Sequence, residues 1–138
     1  MATEVSENQA QRAVAAECLT VKVLVLDDDA NFRALARAIL EPDGFQVIEA
    51  EAVRQCLMQL REQAVDAVIL DMVMPERDGL EALRELKDLF PEIRIVAVSG
   101  AAESELYLTV SAHLGADASL PKSKIGALGP LLHVVLDR

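Results

Sequence analysis

The side chains with most chemical potential in this sequence are Asp27, Asp28, Asp71, Ser99 and Lys122, and each follows a short apolar run. V-K-V-L-V-L leads into Asp27 and Asp28, A-V-I-L into Asp71, I-R-I-V-A-V into Ser99, and A-S-L-P into Lys122. Taken singly, an aspartate at such a place is most often a helix cap or turn residue, and a lysine or serine a solvated loop residue. Taken together they describe a reaction centre. Converging carboxylates repel one another, and a hard divalent cation relieves that repulsion. Carboxylates, waters and a backbone carbonyl suit octahedral Mg²⁺, with Mn²⁺ as a second cation of the same kind. A cation with open positions can hold phosphate oxygens, the lysine can neutralise a further oxygen as a point charge, and the serine can donate a hydrogen bond. Asp71, in the middle, could then act as a nucleophile and form an acyl phosphate, with the surrounding charges stabilising the transferring group.

Whether those groups meet depends on the elements that carry them. Val21 to Leu26 reads as a first strand, Phe45 to Glu49 as a second, Val65 to Leu70 as a third, Ile93 to Val98 as a fourth and Ala118 to Leu120 as a fifth. Between them, apolar residues recur at helical spacing. Phe32, Leu35, Ala36, Ile39 and Leu40 form one stripe, Val53, Cys56, Leu57 and Leu60 a second, and Leu80, Leu83, Leu86 and Leu89 a third. Glu103 to Leu114 and Ile125 to Leu136 supply two more helices, with Pro130 in the true first turn of the last. Asp29 and Asp78 are placed as N-caps, the latter with Glu81 as a capping box. Pro42-Asp43-Gly44, Pro91 and Gly115 are stop signals. Strand–helix alternation implies a parallel sheet covered by helices on both faces, with right-handed crossovers. In such a sheet all carboxyl ends share one edge, which is where open α/β sheets bind ligands.

Composition narrows the function classes. One domain with an aliphatic core fits 138 residues with 3 Phe, 1 Tyr and no Trp. A formal net charge of -10 argues against direct nucleic-acid or anionic-membrane binding. No apolar run is long enough to span a membrane, and the N-terminus lacks the pattern of a signal peptide. Cys18 and Cys56 read as reduced thiols, which together with the rest points to the cytoplasm. Residues 1–20, polar and alanine-rich, read as a flexible extension before a domain over 21–138. His113 and His133 lie on amphipathic patterns with no partner motif and read as packing or surface residues, and so does Tyr107.

The segments L-V-L-D-D-D, V-I-L-D-M-V-M-P-E-R-D-G, V-A-V-S-G and L-P-K, in this order, resemble the receiver domain of bacterial response regulators, the CheY-like family. The resemblance covers Val21 to Arg138. It implies a flavodoxin-like fold with strand order 2-1-3-4-5. It implies that Asp71 is the phosphoryl acceptor, that Asp27, Asp28 and Asp71 hold Mg²⁺ with the main-chain carbonyl of Val73, and that Ser99 and Lys122 contact the phosphoryl group. The donor would be a phosphohistidine on a sensor histidine kinase or a histidine phosphotransfer protein. The output would be control of binding to a downstream protein, with the fourth helix, fifth strand and fifth helix as the docking or homodimer face. The chain would catalyse only its own phosphorylation and dephosphorylation. It would be a lone receiver or an excised part of a longer regulator.

Several positions depart from that family's pattern. Ser119 stands three residues before Lys122, where the family usually carries an aromatic residue that swings inward. Ser123 follows the lysine where a proline is common, so a trans bond is expected there. Val73 and Ala101, each two residues beyond a site residue, are apolar and would not orient a hydrolytic water, so a long-lived acyl phosphate is expected. Two rivals remain. A haloacid-dehalogenase-type phosphohydrolase needs a second acid two residues after the nucleophile, where Val73 stands. A scaffold that no longer takes phosphate would have little use for the intact set of acids, hydroxyl and lysine.

Overall fold

The computed structural model describes residues 20–75, 77–100 and 104–137. The proposed N-terminal extension, Cys18, Ala101 and the start of the fourth helical pattern at Glu103 lie outside the described residues.

The apolar runs form five parallel strands: β1 (Lys22–Leu26), β2 (Gln46–Ala50), β3 (Ala67–Asp71), β4 (Arg94–Ser99) and β5 (Ala118–Pro121). Their order across the sheet is β2-β1-β3-β4-β5, the order expected. Each crossover carries a helix: α1 (Ala30–Leu40), α2 (Val53–Glu62), α3 (Gly79–Leu89) and α4 (Ser104–His113), with α5 (Leu128–Leu136) last.

Alternation along the strands divides the core in two. Leu24, Leu26, Val68, Leu70, Ile95 and Ala97 face Val53, Cys56 and Leu60 of α2, Ala82, Leu83 and Leu86 of α3, and Leu108 of α4. Val23, Val25, Ala67, Ile69, Val96 and Val98 face Phe32, Ala36 and Leu40 of α1 and Leu128, Leu132 and Val135 of α5. The central strands are covered on both faces, which is why they read as unbroken apolar runs rather than alternating ones.

Helix ends follow the sequence signals. Asp29 accepts a hydrogen bond from the Asn31 N–H, and Asp78 accepts one from the Leu80 N–H. Gly44 and Gly115 take φ of 94° and 108°, the left-handed conformation that ends a helix at little cost only for glycine. Glu81 ion-pairs with Arg77 at 3.7 Å, a surface contact beside the cap. Tyr107 packs half-buried against the α2–α3–α4 core, while His113 and His133 are both exposed.

Several local readings differ from expectation, among them Leu35 and Leu89, which lie in the apolar stripes expected for α1 and α3 but are 47% and 48% exposed because they sit at the edge of the face that packs on the sheet. Asp71 is the last residue of β3 rather than the first beyond it. The loop after it folds back on itself as a short hairpin, Val73–Met74 against Arg77–Asp78. The last helical pattern is broken into a 3-10 segment, Lys122–Ala127, and then α5, because Lys124 leaves helical geometry. Pro130 does fall in the first turn of α5.

Gly79 ties α3 to the end of β3. Its N–H donates to the Met72 carbonyl at 3.2 Å, and a Cβ there would lie 2.4 Å from Met72 backbone atoms. Gly79→Ala should therefore push Met72 and the residue before it out of place. The expected result is a loss of about 1–3 kcal/mol in chemical denaturation, together with slower modification of Asp71. Wild-type stability would show that α3 moves away freely.

Candidate functional site

The sheet brings the sequence-selected groups to one edge. β1 delivers Asp27 and Asp28, β3 ends on Asp71, β4 ends on Ser99, and Lys122 follows β5. Register makes them neighbours: Asp71 is paired with Val98, one residue before Ser99, and Ser99 is paired with Pro121, one residue before Lys122. Asp27 is fully buried, Asp71 is 2% exposed and Ser99 1% exposed, while Asp28 faces solvent. One carboxylate oxygen from each of Asp27, Asp28 and Asp71 falls within 4.8 Å of the others.

Lys122 crosses this cluster. Its Nζ is 2.7 Å from Asp27 Oδ2 and 3.6 Å from Asp71 Oδ2. It also stands 4.4 Å from the centroid of the Phe32 ring, a cation–π distance. Gly100 leaves room for the stem, since a Cβ there would meet Lys122 Cδ at 3.2 Å. The Lys122–Ser123 peptide is trans, as the sequence led one to expect.

Backbone groups complete the frame. The Val73 N–H donates to Asp71 Oδ1 at 3.1 Å, and the Asp29 N–H donates to Asp27 Oδ1 at 2.9 Å. Val73 lies in the hairpin, paired with Asp78, so its carbonyl belongs to the same turn as Asp71. Arg77 anchors that hairpin to α3 through Glu85. Beside Asp28, a cleft of about 510 Å³ opens between the β2–α2 loop and the hairpin, with Arg54 and Arg77 among its walls.

The electrostatics follow from burial. Desolvation, with the neighbouring Asp27 charge, pushes the Asp71 carboxyl up from 3.8 to about 6, against the Val73 N–H and Lys122, which favour its ionised form. Burial works against the Lys122 ammonium, yet its contacts with Asp27 and Asp71 outweigh it and raise its pKa. The chemistry of the donors fits a hard cation. Three carboxylates share one small space, with the Lys122 ammonium, 2.7 Å from the buried Asp27 Oδ2, as the counter-charge beside them.

The response regulator receiver domain family matches residues 23–128. The chain belongs to that family. Among its relatives, the chemotaxis protein CheY of Bacillus subtilis (strain 168) is 34% identical over 88 residues, covering 63% of this chain and 73% of that protein. The KDP operon transcriptional regulatory protein KdpE of Escherichia coli (strain K12) is 35% identical over 117 residues, covering 84% of this chain and 51% of KdpE. The chain thus spans only about half the length of KdpE, and 42% of the transcriptional regulatory protein CpxR. Among solved structures, the CheY-like receiver domain protein of Methanospirillum hungatei JF-1 superposes with a TM-score of 0.77 at 26% identity, covering 86% of this chain and 94% of that one. The receiver domain of NtrX from Brucella abortus gives a TM-score of 0.78 at 27% identity, covering 83% and 98%.

Two features of this receiver domain were not read from its sequence. Phe32 belongs to the apolar stripe of α1, and nothing in the pattern says that its ring lies beneath Lys122. Arg33 reads as an ordinary helix-surface residue, yet its Nη1 donates to the Asp27 carbonyl at 2.7 Å. The buried Cys56 thiol is pushed up to about 12 by desolvation, which leaves it an unreactive core group. At Ser119, exposed on β5, no aromatic ring connects the edge strand to the site.

A raised carboxyl pKa means that the folded state holds the Asp71 proton more tightly than the unfolded chain does. Stability is therefore lost as pH rises from about 4 to about 6, and the full cost is present above that. Asp71→Asn should stabilise the metal-free protein at pH above ~7 by a few kcal/mol, at ~1.4 kcal/mol per pH unit. Most of that gain should vanish below pH ~4. Urea melts in a chelator across this range would show it, and an equal gain at every pH would refute the electrostatic origin.

Proposed function

We propose that this receiver domain accepts a phosphoryl group on Asp71 and, so modified, controls binding to another protein. The observation that carries this reading is the buried Asp71 carboxylate with Asp27 and Asp28 on one side and the Lys122 ammonium on the other. In this reading the domain receives the group from a phosphohistidine on a sensor histidine kinase or phosphotransfer protein in the cytoplasm. Asp71 Oδ attacks phosphorus, the P–N bond breaks as the O–P bond forms, and the departing imidazole keeps the electron pair and takes a proton from solvent. Asp27, Asp28, Asp71 and the Val73 carbonyl would hold Mg²⁺, or Mn²⁺ in its place. That ion, when bound, supplies charge neutralisation for the transferring group.

The chain's own residues do the rest. The Val73 N–H fixes the Asp71 rotamer through Oδ1. Lys122, already bridging Asp27 and Asp71, needs only a short displacement to reach a phosphoryl oxygen. Ser99, at the end of β4, supplies a hydroxyl donor to another. The output face would be α4, β5 and α5, through which a homodimer or a downstream protein could bind. Leu106 on α4, 65% exposed, is an apolar contact available there. The domain acts only on itself. A phosphohydrolase is disfavoured by Val73 at the position of the needed second acid, and a phosphate-free scaffold is disfavoured by the assembled carboxylates.

Incubation with acetyl phosphate or phosphoramidate and Mg²⁺, read by intact mass, separates these alternatives. One phosphoryl adduct is expected for the wild type and none for Asp71→Asn. Lys122→Ala should slow the modification by about 10²-fold, the usual effect of removing one preorganised charge from a transferring group. No adduct on the wild type would favour the scaffold, and turnover of free phosphate esters the hydrolase.

The adduct should also be long-lived. Val73, 42% exposed at the mouth of the site, offers an apolar side chain where a polar one could align a hydrolytic water. A hydrolysis time course in Mg²⁺ buffer should give a half-life of minutes or longer, shortened by Val73→Asn. A half-life of seconds for the wild type would contradict this.

A further inference from the structure

Asp27 is held at all four of its polar positions. Its N–H donates to the Ala50 carbonyl at 3.1 Å. Its Oδ1 accepts from the Asp29 N–H at 2.9 Å, and its Oδ2 faces Lys122 Nζ at 2.7 Å. Its carbonyl accepts from Arg33 Nη1 at 2.7 Å. The first is a sheet contact between β1 and β2, and the second is a local turn that any strand-to-helix junction can make. The third comes from the Lys122 ammonium on the other side of the site. The fourth comes from a guanidinium that is itself clamped.

Arg33 is only 14% exposed, and its Nε donates to Glu49 Oε1 at 3.0 Å. The other Glu49 oxygen accepts from Arg37 Nε at 2.9 Å. Glu49 thus bridges two arginines of α1 from its place on β2, where its residue is paired with Val25. Burial works against its charge, but the two guanidiniums outweigh it and hold the carboxyl below its ordinary range. The result is an ionised, geometrically fixed acceptor for a planar, forked donor. Lysine cannot reproduce this pair of contacts with one ammonium.

The Asp27 carbonyl is part of the peptide that joins the two acids. Among the described residues, the exposed Asp28 side chain has no hydrogen-bond partner. Its place relative to Asp27 is therefore set by that peptide plane, and the plane is pinned by Arg33. Glu49 also matters for charge. It neutralises Arg33, so the arginine can orient the acids without repelling a cation between them.

We propose that Arg33, clamped by Glu49, is a positioning residue for the cation site, fixing the Asp27–Asp28 peptide so that both carboxylates are preorganised. This rests on the cation reading above. Partners that orient a metal's ligands commonly change affinity by 10–100-fold, and the effect here should be at the lower end of that range because the ligands themselves remain.

The test uses Mg²⁺ alone. Calorimetric titration of wild type, Arg33→Lys and Arg33→Ala, each with a metal-free melting curve, should give about tenfold weaker affinity in both variants. Arg33→Lys keeps a positive charge for Glu49 and should melt near the wild type. In acetyl phosphate reactions its half-maximal Mg²⁺ concentration should rise by the same factor, with the rate at saturating Mg²⁺ within about twofold of wild type. A general loss of structure would lower that saturating rate instead. If the wild type binds Mg²⁺ and Arg33→Lys binds equally well, the positioning role is wrong while the site stands. If the wild type binds no Mg²⁺, the cation reading and this inference fall together.

Discussion

Three carboxylates at one edge of an apolar parallel sheet are an arrangement that opposes folding. Asp27 and Asp71 are buried almost completely and stand within ion-pair reach of the same ammonium. Coulomb repulsion between like charges grows as the local dielectric falls, so taking both acids out of water raises the proton affinity of one of them, and Asp71 carries that shift. Much of the surrounding structure can be understood as holding this unfavourable cluster in place. The double-sided aliphatic core is the main counterweight, and Lys122 is the local one.

In the function proposed above, the same tension makes the site reactive. A carboxylate that is poorly compensated in the resting protein gains most from an arriving cation or from a bond to phosphorus. Lys122 then has two alternative uses, as counter-ion to Asp27 and Asp71 or as a ligand for a new oxygen. The Phe32 ring lies beside its ammonium, and Gly100 leaves room for its stem. The α4–β5 side of the domain departs from the family's usual pattern. Ser119, exposed on β5, has no ring to swing, and Tyr107 is engaged in packing rather than free on the α4 surface. Leu106 on α4 is the most exposed large apolar side chain among the described residues.

The architecture was legible in the sequence because the pattern is overdetermined. Unbroken runs such as A-V-I-L fit strands covered on both faces, and the first three helices between them carry one apolar stripe each. Caps at Asp29 and Asp78 and stops at Gly44 and Gly115 fell where backbone chemistry requires them. Parallel topology then made the convergence of Asp27, Asp28, Asp71, Ser99 and Lys122 a geometric consequence. The boundaries were less secure. β3 runs one residue further, to Asp71 itself, and the segment after Lys122 takes a 3-10 path because intrinsic helical pattern is weak around Gly126 and Gly129.

What the sequence determined by itself, then, was composition, periodicity and order: an aliphatic α/β sheet with acids, a hydroxyl and a lysine at successive strand ends. Those are local properties, set by side-chain polarity and backbone propensity within a few residues. The tertiary structure alone decided which groups touch. Nothing local links Arg33 to Glu49, 16 residues away, or places the Phe32 ring under Lys122. Nor does any local signal say that burial raises the Asp71 carboxyl. Such contacts arise only when helices from distant parts of the chain pack on the sheet, because burial and charge proximity are properties of the assembled interior.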